Sequence, residues 1–177
     1  HRDLKPANVF LARLRGDEQV KVLDFGVAKA DQSGIRSSYK TYAGTMLGTP
    51  RYMSPEQLRA EDVDARADVW SMAVIAYRAL TGTNPFDGAT YGELALAILA
   101  ADPTPARVHA PQLRPEVDAF FRKAFALDRT KRFASAPQMA AAFARAVTST
   151  PRSDTEVTLV RSLPLDEPAP RIEPAPH

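Results

Sequence analysis

Residues 67–80 read ADVWSMAVIAYRAL and carry the strongest structural signal in the chain. Large apolar side chains such as Val69, Trp70 and Tyr77 lie on nearly every face of the helix that this stretch would form. A helix that is apolar all round is stable only when other elements surround it. The stretch therefore predicts a central buried helix, ended by Gly82, in a domain built mainly from helices.

Further helices are predicted around this central one. Residues 54–57 and 90–93 have the pattern of a capping box, and Pro55 suits the first helical position. Residues 135–138 are predicted to cap the last helix. Two later segments repeat apolar residues with the spacing i, i+3, i+4 and i+7: Val117, Phe120, Phe121, Ala124, and then Met139, Ala142, Phe143, Ala146.

The beginning of the chain has a different pattern. Residues 9–12 and 20–23 are short strand-like segments separated by residues 15–18, which is consistent with a small two-stranded β-ribbon. Residues 27–53 show no periodicity and are rich in Ser, Thr, Gly and Tyr, so we expect a long loop. A loop of this length inside a compact domain is usually functional.

Composition limits the classes of protein to consider. The 177 residues include 23 Lys and Arg against 21 Asp and Glu, which gives a formal net charge of +2. So small a charge offers no electrostatic reason to expect nucleic acid or an anionic membrane as a partner. The chain has no Cys, which excludes disulfide scaffolds and thiol catalysis, and no apolar run long enough for a membrane helix.

Glycine and proline are unevenly distributed. All 8 Gly lie at or before Gly92, whereas 6 of the 15 Pro follow residue 150. We therefore expect a folded domain over residues 1–147. We expect a Pro-rich, disordered tail or linker over residues 148–177.

Three motifs carry chemistry. The chain opens with HRDLKPAN at residues 1–8, continues to DFG at residues 24–26, and reaches GTPRYMSPE at residues 48–56. In this order they resemble the catalytic loop, metal-binding loop and activation-segment end of the eukaryotic-like (Hanks-type) serine/threonine protein kinases. The resemblance implies ATP as phosphoryl donor and Ser or Thr hydroxyls of proteins as acceptors.

The resemblance also implies residue roles. Phosphoryl transfer depends mainly on positioned reactants and on cations over the phosphate oxygens. Asp3 would accept or orient the proton of the substrate hydroxyl, and Lys5 would contact the transferred phosphate. Asn8 and Asp24 would hold Mg²⁺, with Mn²⁺ as a possible substitute, because hard oxygen ligands suit both ions. Thr49 resembles the threonine that hydrogen-bonds the catalytic Asp and favours Ser/Thr substrates.

Three residues are expected to have architectural roles. Glu56 resembles the family glutamate that pairs with a late arginine, here Arg132; the alternative is an exposed pair worth less than about 1 kcal/mol. Asp68 resembles the aspartate of the buried helix that hydrogen-bonds the catalytic-loop backbone; the alternative is a carboxylate favoured by the helix dipole.

Regulation is also implied. Arg2 corresponds to the arginine that binds a phosphorylated activation loop, and Thr45 and Thr41 are the candidate phosphorylation sites. A phosphothreonine would order the loop against an arginine. The alternative is that the many hydroxyl side chains only keep a loop soluble.

The resemblance covers residues 1–147 and implies a kinase-like α+β fold represented by its C-terminal lobe only. No Gly-x-Gly-x-x-Gly motif occurs in the chain, and no Val-Ala-Ile-Lys equivalent precedes the catalytic loop. We therefore expect a small N-terminal lobe upstream, and little activity from this segment alone. A non-catalytic lobe fragment that binds or inhibits a partner stays open as an alternative. The Arg- and Ala-rich composition suggests a bacterial source, and the absence of Cys suits a reducing compartment, so we expect a cytoplasmic catalytic region. The tail resembles the linker that often precedes a membrane helix in such kinases.

Overall fold

A computed structural model of the chain describes residues 1–14, 17–23 and 50–148. The predicted tail, and residues 24–49 of the predicted metal-binding and long-loop region, lie outside the described residues. Among the described residues, no helix is long and apolar enough to cross a membrane.

The amino-terminal part forms the predicted ribbon. A single 3-10 turn, Pro6–Asn8, leads into β1 (Val9–Leu14), which pairs antiparallel with β2 (Asp17–Val22) from Val9 opposite Val22 to Leu14 opposite Asp17. Strand β1 continues two residues beyond the predicted run 9–12, whereas β2 begins three residues before the predicted run 20–23 and ends one residue before Leu23. Phe10, Leu11 and Val20 are more than half exposed, because no second layer of described residues covers the ribbon.

The remainder of the described chain is helical. Within the range predicted as a long loop, the described residues Pro50–Tyr52 form a 3-10 turn, and two residues separate this turn from the first α-helix. The α-helices, in chain order, are α1 (Pro55–Leu58), α2 (Arg66–Thr81), α3 (Tyr91–Ala100), α4 (Ala106–His109), α5 (Pro115–Ala124) and α6 (Ala136–Thr148), with a 3-10 turn at Arg129–Lys131.

Helix α2 is the centre of the core, as predicted from residues 67–80. Trp70, Val74 and Tyr77 are fully buried. The Trp70 ring stacks on Phe86 with centroids 5.3 Å apart and meets the edge of Phe125 at 5.1 Å. Such aromatic pairs add about 0.5–1.5 kcal/mol each to the free energy gained by burial. The bundle thus positions the first turn of α2 with little freedom.

The helix ends follow the predicted signals with one difference in detail. Gly82 ends α2 in the left-handed region at φ 75° and donates its N–H to Arg78 O. Thr90 Oγ1 accepts from Glu93 N, but the Glu93 carboxylate accepts in return from Ala89 N and not from Thr90 N. The expected reciprocal box at residues 90–93 is therefore shifted by one residue, because the chain before α3 turns its Ala89 amide toward the carboxylate.

Candidate active site

The segment before the first strand brings two of the predicted catalytic side chains together. Lys5 Nζ lies 3.2 Å from Asp3 Oδ2, and both side chains are partly accessible. A partly exposed ion pair contributes little to folding stability. The ion pair does place a carboxylate oxygen and an ammonium group side by side at an accessible point. A carboxylate can orient a hydroxyl group by accepting its hydrogen bond, and an ammonium group next to it can bind an anionic group.

Asn8 is buried at the end of the 3-10 turn and holds this segment in shape. Its backbone N–H donates to Lys5 O at 2.9 Å, and its side-chain Nδ2 donates to Asp3 O at 2.8 Å. The amide can offer Oδ1 to a cation, and the bond from Nδ2 to Asp3 O fixes the orientation of the amide plane. Asn8 is therefore oriented as a hard oxygen donor next to Asp3.

Leu23 joins the end of β2 to the same segment. Its N–H donates to Asn8 O at 2.9 Å, and its carbonyl oxygen lies 2.9 Å from His1 Nε2. Leu23 is the residue directly before Asp24 in the sequence. Both backbone groups of the residue that leads into the predicted metal-binding motif are thus bound to residues of the opening motif.

Asp68, in the first turn of α2, binds the backbone of the opening motif. Its two carboxylate oxygens accept from the nitrogens of His1 and Arg2, each at 2.9 Å. Arg2 has φ 64°, a left-handed conformation that costs a non-glycine residue roughly 1–2 kcal/mol. The strained backbone is held in place by the anchored helix. The Arg2 side chain is exposed, and no carboxylate of the described residues forms an ion pair with it.

Gln57 makes a contact with the opening motif that was not predicted from the sequence. Its Nε2 donates to Arg2 O at 2.8 Å, although 55 residues separate the two in the chain. Its Oε1 accepts from Ser54 N at 3.0 Å, which is the predicted cap of α1. A capping box uses only this acceptor, and Glu also serves there. The choice of Gln, which carries a surplus donor, was the only available signal.

The pair formed by Glu56 and Arg132 is buried rather than exposed. Arg132 donates to both carboxylate oxygens, at 2.7 and 2.8 Å. Its other three N–H groups reach backbone oxygens of Ala126, Leu127 and Arg66, so all five donors have acceptors. The guanidinium carbon also lies 4.9 Å from the centre of the Trp70 ring.

The protonation of Glu56 reflects two opposing effects. Burial by itself would raise the pKa of the carboxyl group, but the hydrogen bonds and charge of Arg132 outweigh it, so the pKa lies below its ordinary value. Glu56 is therefore ionised at neutral pH. The alternative of a weak surface pair is wrong because neither side chain is in contact with bulk water.

The segment before α1 completes one side of the site. Ser71 on α2 donates its hydroxyl to Tyr52 O at 2.7 Å, which ties the Pro50–Tyr52 turn to the buried helix. Asp3, Lys5, Met53 and Gln57 together line a small concavity. A chain laid over Met53 would therefore reach the ion pair of Asp3 and Lys5.

The remaining predicted site residues cannot be placed. Asp24, Thr41, Thr45 and Thr49 lie outside the described residues. Within the described ranges, no three His, Cys, Asp or Glu side chains are clustered so that they could hold a metal ion. Asn8 is the described member of the predicted ligand pair.

The structure thus brings Asp3, Lys5 and Asn8 together where the opening motif meets the β-ribbon. Comparison with known proteins identifies the class: the model of the protein kinase domain matches residues 1–144. PknB of Mycolicibacterium smegmatis is 40% identical over 141 residues, covering 80% of this chain and 22% of that protein. Pkn1 of Myxococcus xanthus is 42% identical over 137 residues, covering 76% and 19%. Both carry the name serine/threonine-protein kinase.

A third relative aligns along the whole chain. PknB of Mycobacterium tuberculosis is 36% identical over 184 residues, covering 100% of this chain and 29% of that protein. The chain thus spans less than a third of the length of these relatives. The chain belongs to the bacterial Hanks-type serine/threonine protein kinase family, and the fold class inferred from its motifs is confirmed.

Proposed function

We propose that the chain is the C-terminal lobe of an active serine/threonine protein kinase that transfers the terminal phosphoryl group of ATP to Ser or Thr hydroxyls of proteins. The observation that carries this proposal is the Lys5 ammonium 3.2 Å from the Asp3 carboxylate, at an accessible point beside Met53. In such an arrangement Asp3 orients the acceptor hydroxyl and takes its proton, while Lys5 neutralises charge on the transferred group.

Asn8 and Asp24 are proposed as the ligands of Mg²⁺, or of Mn²⁺ in its place. The fit rests on Asn8, whose Oδ1 is a hard oxygen ligand and whose amide is held in one orientation by the bond from Nδ2 to Asp3 O. Its burial also restricts the amide to one position. When bound, a divalent ion neutralises the charge that develops on the phosphate oxygens. Thr49 is proposed to hydrogen-bond Asp3 and to favour Ser/Thr acceptors.

The proposal extends to the organisation of the protein. Residues 1–147 would form the lobe and residues 148–177 a linker, with the nucleotide covered by an N-terminal lobe encoded upstream. The exposed apolar side chains of the ribbon, Phe10, Leu11 and Val20, support the presence of such a lobe packed against the ribbon. Burying side chains of this kind is favourable by about 1.5–3 kcal/mol each. We place the catalytic region in the cytoplasm.

Regulation by phosphorylation of Thr45 and Thr41 is part of the proposal. The support is the exposed side chain of Arg2. Its backbone N–H is bound by Asp68, which fixes the position of the Arg2 Cα from which the side chain extends. A phosphate on the loop would gain charge-assisted hydrogen bonds from it. Mass spectrometry of the autophosphorylated full-length protein should find phosphate on Thr45 or Thr41; phosphate found only on the tail would contradict this part.

The central test is an Asp3→Asn substitution in the full-length protein. Loss of the general base should lower kcat for a Ser-containing peptide by about 10²–10⁴-fold while nucleotide binding is retained. Asp102→Asn, at an exposed position, is the control and should leave kcat unchanged. A wild-type protein that transfers no phosphate would contradict the proposal and favour the non-catalytic binding module.

A further inference from the structure

Gln57 connects two parts of the site that are far apart in the chain. At one end, its Oε1 accepts from Ser54 N and Ser54 Oγ at 3.0 and 3.2 Å and caps α1. At the other end, its Nε2 donates to Arg2 O at 2.8 Å. Helix α1 follows directly on the Pro50–Tyr52 turn, so one side chain joins that segment to the backbone of the opening motif.

The peptide group that receives this bond is the one that joins Arg2 to Asp3. Its oxygen is bound by Gln57, and its N–H points to His1 Nδ1 at 3.3 Å. On the other side of Arg2, the backbone N–H is bound by Asp68. Because the φ of Arg2 is 64°, this conformation persists only while the surrounding groups hold it.

The direction of the Asp3 side chain depends on this peptide plane. A peptide that rotates about the Arg2 Cα carries the Asp3 Cα and its side chain with it, since the group is planar. Asp68 restrains the N–H that precedes Arg2, and Gln57 restrains the carbonyl that follows it. The two restraints act at opposite ends of the strained residue, and neither duplicates the other.

We propose that Gln57 is a positioning residue, which holds the Arg2–Asp3 peptide plane and thereby aims the Asp3 carboxylate at the acceptor hydroxyl. The inference rests on the proposed kinase function for its catalytic consequence, whereas the restraint on the backbone stands without it. The contact also makes the geometry of Asp3 depend on the segment around Met53, which lines the same concavity.

Capping by itself does not require this contact. The cap of α1 uses the oxygen of Gln57, so a Glu would cap equally well and would suit the positive end of a helix. Only the surplus Nε2 reaches Arg2. Gln57→Glu therefore keeps the cap and removes the donor, and Gln57→Met removes the donor without adding charge beside Arg2 O.

Gln138 provides a matched control. It occupies the corresponding position in α6, where its Oε1 accepts from Ala134 N at 2.6 Å and its N–H donates to Ser135 Oγ at 3.3 Å. In both caps the amide oxygen accepts from a backbone N–H before the helix, although the donor for Gln138 lies one residue further back than the donor for Gln57, and the Gln138 cap lies at the last helix. Gln138→Glu and Gln138→Met therefore measure the effect of each substitution on a cap alone.

The experiment compares these variants in the full-length protein. We expect Gln57→Glu and Gln57→Met to lower kcat for a Ser-containing peptide about fivefold to tenfold, the usual consequence of losing one hydrogen bond. The KM for ATP should stay within twofold of wild type, and each Tm should match that of the corresponding Gln138 variant. The Gln138 variants should keep kcat. Unchanged kcat in both Gln57 variants of an active kinase would overturn the proposal.

Hydrogen–deuterium exchange supplies a readout that does not need activity. Without nucleotide, amide exchange within residues 1–8 should be about fivefold faster in both Gln57 variants than in the Gln138 variants. Exchange that is unchanged would overturn the proposal even if kcat fell, because the restraint would then be absent. A wild-type protein without kinase activity would refute the proposed function, and exchange alone would then decide whether Gln57 restrains the loop.

Discussion

Arg132 donates two parallel hydrogen bonds to the carboxylate of Glu56 across 76 residues of chain, and both side chains are buried. Glu56 belongs to α1, which carries Gln57 toward the opening motif. Arg132 directly follows the Arg129–Lys131 turn and lies over Trp70 of the central helix. The pair therefore attaches α1 to the core around α2.

Arg132→Ala should strongly destabilise the protein. The substitution leaves the ionised Glu56 buried without its partner, and breaking such a pair typically costs about 3–5 kcal/mol of the free energy of unfolding. Arg13→Ala is the matched control, because Arg13 donates two hydrogen bonds to one carboxylate oxygen of Glu18 in an exposed position. This substitution should lower the free energy of unfolding by less than about 1 kcal/mol. Equal losses in urea denaturation would contradict the structural role of the buried pair.

The pH dependence of stability should follow Glu56. Its pKa is lower in the folded protein than the ordinary value of 4.5, so the unfolded chain binds the proton more tightly. The contribution of the pair is then complete above about pH 5 and is lost as the pH falls through the folded pKa. Urea denaturation between pH 3 and 7 should show a steeper loss in wild type than in a Glu56→Met/Arg132→Met double variant. Parallel curves would contradict this assignment.

Asp68→Asn should lower kcat about tenfold. The two oxygens of Asp68 accept from two different backbone nitrogens, and an amide can accept from only one of them. The other backbone N–H, of His1 or Arg2, then faces the NH2 group of the substituted side chain and has no acceptor. Such an unsatisfied group costs about 1–3 kcal/mol. Asp118→Asn is the control, since one Asp118 oxygen accepts from Arg107 N far from the site. Steady-state kinetics of peptide phosphorylation would give the two values, and an equal kcat in both variants would disprove the role of Asp68.

Gly82→Ala should destabilise the protein by about 1–2 kcal/mol. Space does not limit the substitution, because no atom lies within 4 Å of an added Cβ, but the φ of 75° is costly for any L side chain. Gly92→Ala tests the same change inside α3, where φ is not positive and the nearest atom is 4.0 Å away; it should be neutral or stabilising. Thermal unfolding of both variants distinguishes the two, and a stable Gly82→Ala variant would contradict the left-handed cap.

Much of the fold could be predicted because its signals are local. The all-round apolar character of residues 67–80 gave the central helix, and the spacing from Val117 to Ala124 gave α5. The details of the helix caps were less predictable. The Glu93 carboxylate accepts from Ala89 N because of the backbone conformation before α3, and hydrophobic periodicity gives no information about that conformation. The site residues Asp3, Lys5 and Asn8 were found from one contiguous motif, and the same motif gave no indication of Gln57.

Features that depend on neighbouring residues can therefore be distinguished from contacts between residues that are far apart in the chain. The sequence by itself determined α1, α2, α3, α5 and α6, the ribbon, the motif residues and the kinase family, since periodicity, caps and motifs are properties of neighbouring residues. The short helix α4 was not predicted. Only the tertiary structure decided that Gln57 binds Arg2 O, that Asp68 binds two backbone nitrogens, and that Arg132 is buried with all five donors paired. These contacts join residues more than 50 positions apart, and each depends on where packing against α2 places a side chain that has several rotamers.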